Sequence, residues 1–425
     1  MAKNMVEVVP RTAERQLADY SADFRVVVVN GPRQAGKTTL LRLHQRRSGG
    51  EFRSLDDPEM LRAATADPIA FARDAPRPLH IDEVQRTGDP LVRAVKMAVD
   101  EDWAPGQFIL SGSTRFLTVP TLSESLAGRA GLIELWPLSM AERTRSPANF
   151  IDQVFSNHDS LRGAVSSWSR SQYLRAICEG GYPEVLRMRT SGTRRGWFDS
   201  YLDTVIQRDM LEFAQIQQAH AVPKLLKLIA ARSGSTLVLA DLARSLGGLS
   251  ADTVRSYLSY LETVFLVSYA RAWSTNLTSK ISKTPKGYLT DSGLTAHLLR
   301  ATPDAVSRPG HPALGGLMET FVFNELTKAA SSAENPVGIY HLRDRDGREI
   351  DFILESRDGR VVAIEVKSSV SPPGDGTRHL RWFRDHVGDR LIAGVMLYLG
   401  EHVLSHGDRI LVAPLSTLWS HALME

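Results

Sequence analysis

The chain of 425 residues has a single cysteine, Cys178, so an internal disulfide is excluded. Nor does any Cys/His cluster have zinc spacing, and the two absences together point to a reducing compartment without structural zinc. No run of about 18 apolar residues occurs. The opening MAKNMVEVVPRTAERQLADY has no apolar signal core, so no membrane partner is expected and the expected location is cytoplasmic. A strong charge of one sign is also missing. With 51 Lys and Arg against 48 Asp and Glu the net charge is only +3, so any nucleic-acid contact must come from local clusters rather than a global field.

What is present is the composition of a globular protein, 43% hydrophobic and 23% charged, on a chain long enough for roughly two to four domains. The stretch FRVVVVNGPRQAGKTTLLRLHQ reads as a buried-type strand from Phe24 to Val29, a glycine-containing turn and an apolar-periodic helix. Its GxxxxGK[ST] pattern is filled by Gly31, Gly36, Lys37 and Thr38, with Thr39 following. Backbone amides and the helix N-terminus there can cradle the phosphates of ATP, Lys37 can reach the β and γ phosphates, and the Thr38 hydroxyl can ligate Mg2+. A second acidic element is expected on a neighbouring strand, and RPLHIDEVQR supplies it: Asp82 for the metal and Glu83 to polarise the attacking water. In QFILSGSTRF, Ser113 or Thr114 ends another strand and can contact the γ-phosphate or the water. Asp57 before Pro58 reads as a helix cap rather than a catalytic acid.

Near the C-terminus, GREIDFILESRDGRVVAIEVKSS raises a different question. Two Asp-Gly turns, at Asp346-Gly347 and Asp358-Gly359, predict a meander with strands at 339–343, 349–355 and 361–367. Strand alternation puts Asp351 and Ile353 on one face and Ile350, Phe352 and Leu354 on the other, while Glu365 and Lys367 oppose Val362, Ile364 and Val366. Two acids and a lysine thus converge within a sheet whose faces are both apolar. Crowded carboxylates invite a divalent cation, with the lysine placed to stabilise phosphorane-like charge. An exposed salt-bridge ladder is the competing account.

The order GPRQAGKTTL, LHIDEVQR, ILSGSTRF, SLAGRAGLIELWPLS, GGYPEVL and YLDTVIQRDM resembles the AAA-superfamily ATPases of bacteria and archaea that carry a C-terminal domain of uncertain function, and it spans nearly the whole chain. The resemblance implies that Arg129 is an arginine finger acting in trans, hence a homo-oligomer, and that Arg208 is a lid arginine sensing the γ-phosphate. The D…ExK residues resemble restriction-endonuclease-like (PD-(D/E)xK) phosphodiesterases. That likeness implies metal ligands Asp351 and Glu365 with catalytic Lys367, and a further acid, Glu319 in preference to Glu325, from the helix HPALGGLMETFVFNELTKAA. Mg2+ or Mn2+ would serve such a site.

The expected fold class is therefore α/β. A P-loop ATPase core at 1–145 is followed by a helical lid at 146–235, with a loop-bearing entry over 146–170. A winged-helix-like segment lies at 236–300, carried by a helix pair around Gly247-Gly248 and strands in LVSYARAW and KGYLTD, and a nuclease-like domain occupies 301–425. The expected activity is ATP hydrolysis coupled to cleavage of DNA. The alternative is a regulatory ATPase whose C-terminal domain binds nucleic acid or protein without cutting. Arg378, Arg381 and Arg384 share one helix side and read either as phosphate contacts or as a solvated face.

Overall fold

A computed structural model describes residues 8–115, 126–206, 221–274, 284–344, 346–372 and 374–420. They form two compact units, Met1–Leu138 with Thr263–Phe265, and Ser139–Glu262 with Leu266–Glu425. The segments expected at 146–235, 236–300 and 301–425 thus lie almost entirely in the second unit.

In the first unit the run VVVVN forms β1 (Val26–Asn30), and every residue of it is buried. Alternating side chains explain why the run is apolar on both faces. Val26 and Val28 pack with Leu91 and Val95 on one side, whereas Val27 and Val29 pack with Leu17, Leu40 and Leu41 on the other. The remaining strands are β2 (Glu51–Ser54), β3 (Leu79–Asp82), β4 (Phe108–Gly112) and β5 (Ala130–Glu134). All pair in parallel, in the order β2-β3-β4-β1-β5. The strand bearing Asp82 is therefore not β1's neighbour, because β4 lies between them. The Asp57 cap is as expected: its side chain accepts from the Glu59 amide at 2.8 Å ahead of Pro58.

The second unit is built on an eight-stranded sheet in the order β12-β13-β11-β10-β9-β8-β6-β7. The strands are β6 (Val267–Ala272), β7 (Lys286–Leu289), β8 (Val337–Arg343), β9 (Glu349–Ser356), β10 (Val361–Val366), β11 (Leu391–Tyr398), β12 (Leu404–Ser405) and β13 (Ile410–Pro414). The meander β8-β9-β10 turns where the Asp-Gly pairs predict, with Gly347 at φ 78° and Gly359 at φ 83°, a region glycine enters without strain. One face packs Phe352, Leu354, Val362 and Ile364 under the helix Leu314–Ser332, and the other packs Ile353, Val361 and Ala363 against Leu380 and Phe383 of the helix Arg378–Val387.

Two expectations are corrected here. Ile350 packs with Ile353 and not with Phe352 and Leu354, because β9 takes three steps between Ile350 and Ile353 while β8 takes two between Leu342 and Tyr340. That bulge spans Asp351, and bulges of this kind re-aim side chains. The stretch 146–170 is not simply a loop. Phe150–Asn157 is a helix, its first amides at Ile151 and Asp152 accepted by the Asn149 side chain, and it buries Phe150, Ile151, Val154 and Phe155. The flanking Ser and Asn residues mask that apolar spacing in the sequence.

The expected winged-helix segment contains helices Leu239–Ser245 and Ala251–Thr263, the second capped by Ser250 accepting from the Thr253 amide at 3.0 Å. Strands β6 and β7 pair antiparallel, and β6 then continues into the C-terminal sheet by pairing Arg271 and Ala272 with Tyr340 and His341 of β8.

His80 on β3 is fully buried, and its ring meets His44 at 2.9 Å. Burial first, and the neighbouring His44 second, bring the His80 imidazolium from 6.5 down to about 4. Between those values the unfolded chain takes up a proton that the folded chain refuses, so stability is complete above about pH 6.5 and declines as pH falls toward about 4. Urea midpoints measured from pH 7 to pH 4.5 are expected to fall, and His80→Asn is expected to flatten that slope.

Candidate functional site

The loop after β1 opens the helix Lys37–Ser48 through Gly36, whose φ of 103° suits glycine alone. Gly31 is required for a different reason. A Cβ there would sit 2.0 Å from the Leu135 carbonyl oxygen, while the Leu135 amide donates to Asn30 at 2.7 Å and holds that approach fixed. Lys37 is buried, and its ammonium donates to the carbonyls of Gly31 at 3.0 Å and Pro32 at 2.9 Å. Thr38 and Thr39 are exposed on the first turn.

Asp82 ends β3, and its two oxygens are both engaged: Oδ2 accepts from the Thr38 hydroxyl at 2.8 Å and Oδ1 from the Ser111 hydroxyl of β4. Burial raises the Asp82 carboxyl, with the two hydroxyls and Lys37 opposing and Glu83 adding to the rise. Glu83 follows in the left-handed region at φ 58°. The Gln85 amide nitrogen joins it to Ser113, donating to Glu83 Oε2 and, at 2.9 Å, to Ser113 Oγ. The structure thus brings Gly31, Gly36, Lys37, Thr38, Asp82, Glu83 and Ser113 to one end of the sheet, where open α/β sheets bind ligands.

Sequence reasoning missed three residues of this site. Ser111 carries no signal that sets it apart from Ser113 and Thr114 in the sequence, and the register of β4 on β3 puts it beside Asp82. Gln85 sits in a short 3-10 turn that gives no pattern of its own. Arg11 has no sequence signal: its guanidinium donates to the carbonyls of Ala35 at 2.7 Å and Trp136 at 2.6 Å, pinning the phosphate loop from far upstream.

Arg129 lies at the start of β5, the opposite end of the sheet from the loop. It makes a bidentate pair with Asp100 of its own subunit, Nε at 2.5 Å and Nη2 at 3.1 Å. Arg208 lies outside the described residues.

The second group of expected residues also converges, around an unexpected centre. The Lys286 ammonium, at the start of β7, is fully buried. It lies 2.9 Å from Glu319 Oε1, 2.7 Å from Glu349 Oε1 and 3.6 Å from Asp351 Oδ1. Tyr288 also donates to Glu319 Oε1, at 2.6 Å. The other Asp351 oxygen accepts from the Val366 amide at 2.9 Å, and Glu365 Oε2 pairs with Lys367 at 3.0 Å. Glu325 is elsewhere, accepting from the Met140 amide at 2.8 Å and pairing with Lys328.

Burial alone would pull the Lys286 ammonium down, but Glu319, Asp351 and Glu349 outweigh it and hold it above its usual value. Burial, opposed by Lys367, lifts Glu365 to about 7. The donor set does not fit a divalent cation as it stands, because an ammonium fills the space among Glu319, Glu349 and Asp351. Among the described residues no cluster of His, Cys, Asp and Glu is arranged to hold a metal. Lys286 and Glu349 were missed; GREID does place Glu349 two residues before Asp351, but nothing in KGYLTD marks its lysine.

The arginine stripe is engaged locally: Arg381 pairs with Asp375 at 2.7 Å and Arg384 with Asp385 at 2.9 Å. No described helix is long and apolar enough to cross a membrane.

Comparison with protein families matches an AAA domain at residues 23–144 and two domains of unknown function, DUF8612 at 170–305 and DUF4143 at 314–418. An uncharacterized protein of Mycobacterium tuberculosis is 30% identical over 390 residues, which is 92% of this chain and 80% of the relative. An uncharacterized protein of Haemophilus influenzae is 21% identical over 407 residues, 89% and 92% of the two chains. Among solved structures, a Walker-type ATPase of Pyrococcus abyssi aligns at 14% identity and a TM-score of 0.41, covering 69% of this chain and 96% of that one. The RuvB Holliday junction branch migration motor of Thermotoga maritima aligns at 21% identity and a TM-score of 0.28, covering 60% and 88%.

Replacing Gly31 by Ala drives a methyl group into the Leu135 carbonyl. The expected cost is about 1–3 kcal/mol, read as a lower urea midpoint, together with loss of ATP binding by calorimetry.

Proposed function

We propose a function from one premise: the chain carries an AAA domain and belongs to the family of its mycobacterial relative. It is an ATPase that binds and hydrolyses ATP in the first unit, and its nucleotide cycle governs a C-terminal domain that recognises nucleic acid or protein without cutting it. The observation that carries the ATPase half is the Thr38–Asp82 contact at 2.8 Å beside the buried Lys37.

The loop amides and the start of the helix Lys37–Ser48 would hold the phosphate chain, and Lys37 would exchange its two carbonyl partners for phosphate oxygens. Thr38 and Asp82 are hard oxygen donors already side by side, and they fit Mg2+, which neutralises phosphate charge when bound. Glu83 would orient and deprotonate the attacking water, with Gln85 fixing its carboxylate against Ser113. Arg129 lies away from its own nucleotide end, and this supports the reading that it serves a neighbouring subunit in a homo-oligomer after releasing Asp100.

Several finer readings belong to the same proposal. The location is cytoplasmic, the helix pair with β6 and β7 is a winged-helix module, and the sheet carrying Asp351, Glu365 and Lys367 is of the restriction-endonuclease-like kind. DNA is the first candidate partner. Binding without cleavage is favoured over Mg2+- or Mn2+-dependent cleavage by the Lys286 ammonium among the carboxylates.

Lys37→Ala is expected to abolish ATP binding by calorimetry. Glu83→Gln is expected to keep binding and lower kcat by roughly 10²-fold or more, the scale of a lost general base. Unchanged ATP binding in Lys37→Ala would reject the phosphate-loop assignment. Arg129→Ala should spare ATP affinity and reduce kcat by roughly 10³-fold if it acts across subunits. Mixing it with Lys37→Ala protein should then restore part of the rate, whereas unchanged kcat would reject the trans role. Supercoiled, linear and branched DNA incubated with Mg2+ or Mn2+ should be retarded in gels but remain uncut.

A further inference from the structure

The acidic centre of the second unit already contains a cation, and that cation is a side chain. Lys286 offers three N–H donors, and its ammonium meets Glu349 at 2.7 Å, Glu319 at 2.9 Å and Asp351 at 3.6 Å. An ammonium wholly removed from water is tolerated only when opposite charge and hydrogen bonds replace its hydration. The same holds, in proportion to their burial, for the carboxylates that surround it, so each offsets the other's desolvation. The elements that supply them are far apart in the chain: Lys286 comes from β7, Glu319 from the helix Leu314–Ser332, and Glu349 and Asp351 from β9.

A second observation shows more ligand capacity than the lysine uses. Glu365 is only 3% exposed, yet its Oε1 has no hydrogen-bond partner, with His379 Nδ1 3.6 Å away. Glu365 directly precedes Val366, whose amide holds Asp351 at 2.9 Å. An orphaned, buried carboxylate oxygen beside an acid cluster is what a site for a hard cation would present if its central position were not already filled.

We propose that Lys286 is the resident cation of this centre, standing where a divalent ion would engage Glu319, Glu349 and Asp351, and that removing its charge opens the centre to one such ion. The reading is independent of the ATPase assignment, since none of these residues belongs to the first unit. It also gives Lys286 a specific role: the lysine fills, with its own charge, the space among Glu319, Glu349 and Asp351.

The test uses the full chain without nucleotide and manganese alone as the probe, titrated by calorimetry and electron paramagnetic resonance. Wild type, Lys286→Met and Lys286→Met with Asp351→Asn are compared; methionine keeps the length of the side chain and removes its charge. Lys286→Met is expected to gain about one manganese ion per chain, bound roughly tenfold or more tighter than any ion held by wild type, and Asp351→Asn is expected to remove it. Wild type binding manganese in a manner sensitive to Asp351→Asn would overturn the proposal, as would a folded Lys286→Met that gains no ion. Should Lys286→Met fail to fold, the variant that also carries Glu319→Gln and Glu349→Gln reads the same point. Recovery of the fold means that the lysine neutralises those acids, and continued failure means that it serves another purpose and overturns the assignment.

Discussion

A carboxylate buried in a sheet must recover from protein what it loses in water, and this constraint organises both candidate centres of the molecule. In the first unit the recovery is made by hydroxyls. Asp82 takes one hydrogen bond from Thr38 on the helix after β1 and one from Ser111 on β4, so one acid ties together two neighbouring strands and a helix at the phosphate-binding end. In the second unit it is made by charge: Asp351 takes the Val366 amide on one oxygen and the Lys286 ammonium near the other. The difference matters chemically. Hydroxyls can turn aside for a metal and its phosphate ligand at little cost, whereas a buried ammonium cannot leave without exposing three acids to one another.

The same constraint explains why some of the molecule was readable from sequence. The phosphate loop is legible because its residues are contiguous and each type has one physical role, including Gly31, which lies against the Leu135 carbonyl, and Gly36 at φ 103°. The meander is legible because Asp-Gly turns and period-two apolar runs agree with each other. Partners supplied from elsewhere in the chain are not legible. Arg11, Ser111, Gln85 and Lys286 matter only through tertiary contact, and no local pattern announces a residue whose role is to satisfy someone else's charge. The Ile350 error has a similar origin, since a single extra residue in β9 shifts the alternation on which face assignments rest.

Electrostatics also bear on what the second centre can do. Glu365 is pushed to about 7 chiefly by burial, and Lys367 beside it is held above its usual value by that same carboxylate. An acid and a lysine that stabilise each other's charge at 3.0 Å are a matched pair. A catalytic pair would instead need the acid free for a metal and the lysine free for the reacting phosphate. The convergence of Asp351, Glu365 and Lys367 is therefore real, while their present partners are one another and their neighbours.

The origin of the cation has a structural consequence. Lys286 lies in the hairpin β6–β7, outside the 314–418 match, and that hairpin joins the C-terminal sheet by pairing Arg271 and Ala272 with Tyr340 and His341, extended by the Trp273 amide donating to the His341 carbonyl at 2.6 Å. That is a short ladder for an edge hairpin. The ammonium reaching Glu319, Glu349 and Asp351, with the Tyr288 hydroxyl on Glu319, adds a charged staple where the ladder is short. Removing that staple would leave uncompensated acids inside the sheet as well as a loosened edge, and both effects have the same sign. The cation that faces Glu319, Glu349 and Asp351 thus comes from outside the matched stretch, from the hairpin of the preceding segment.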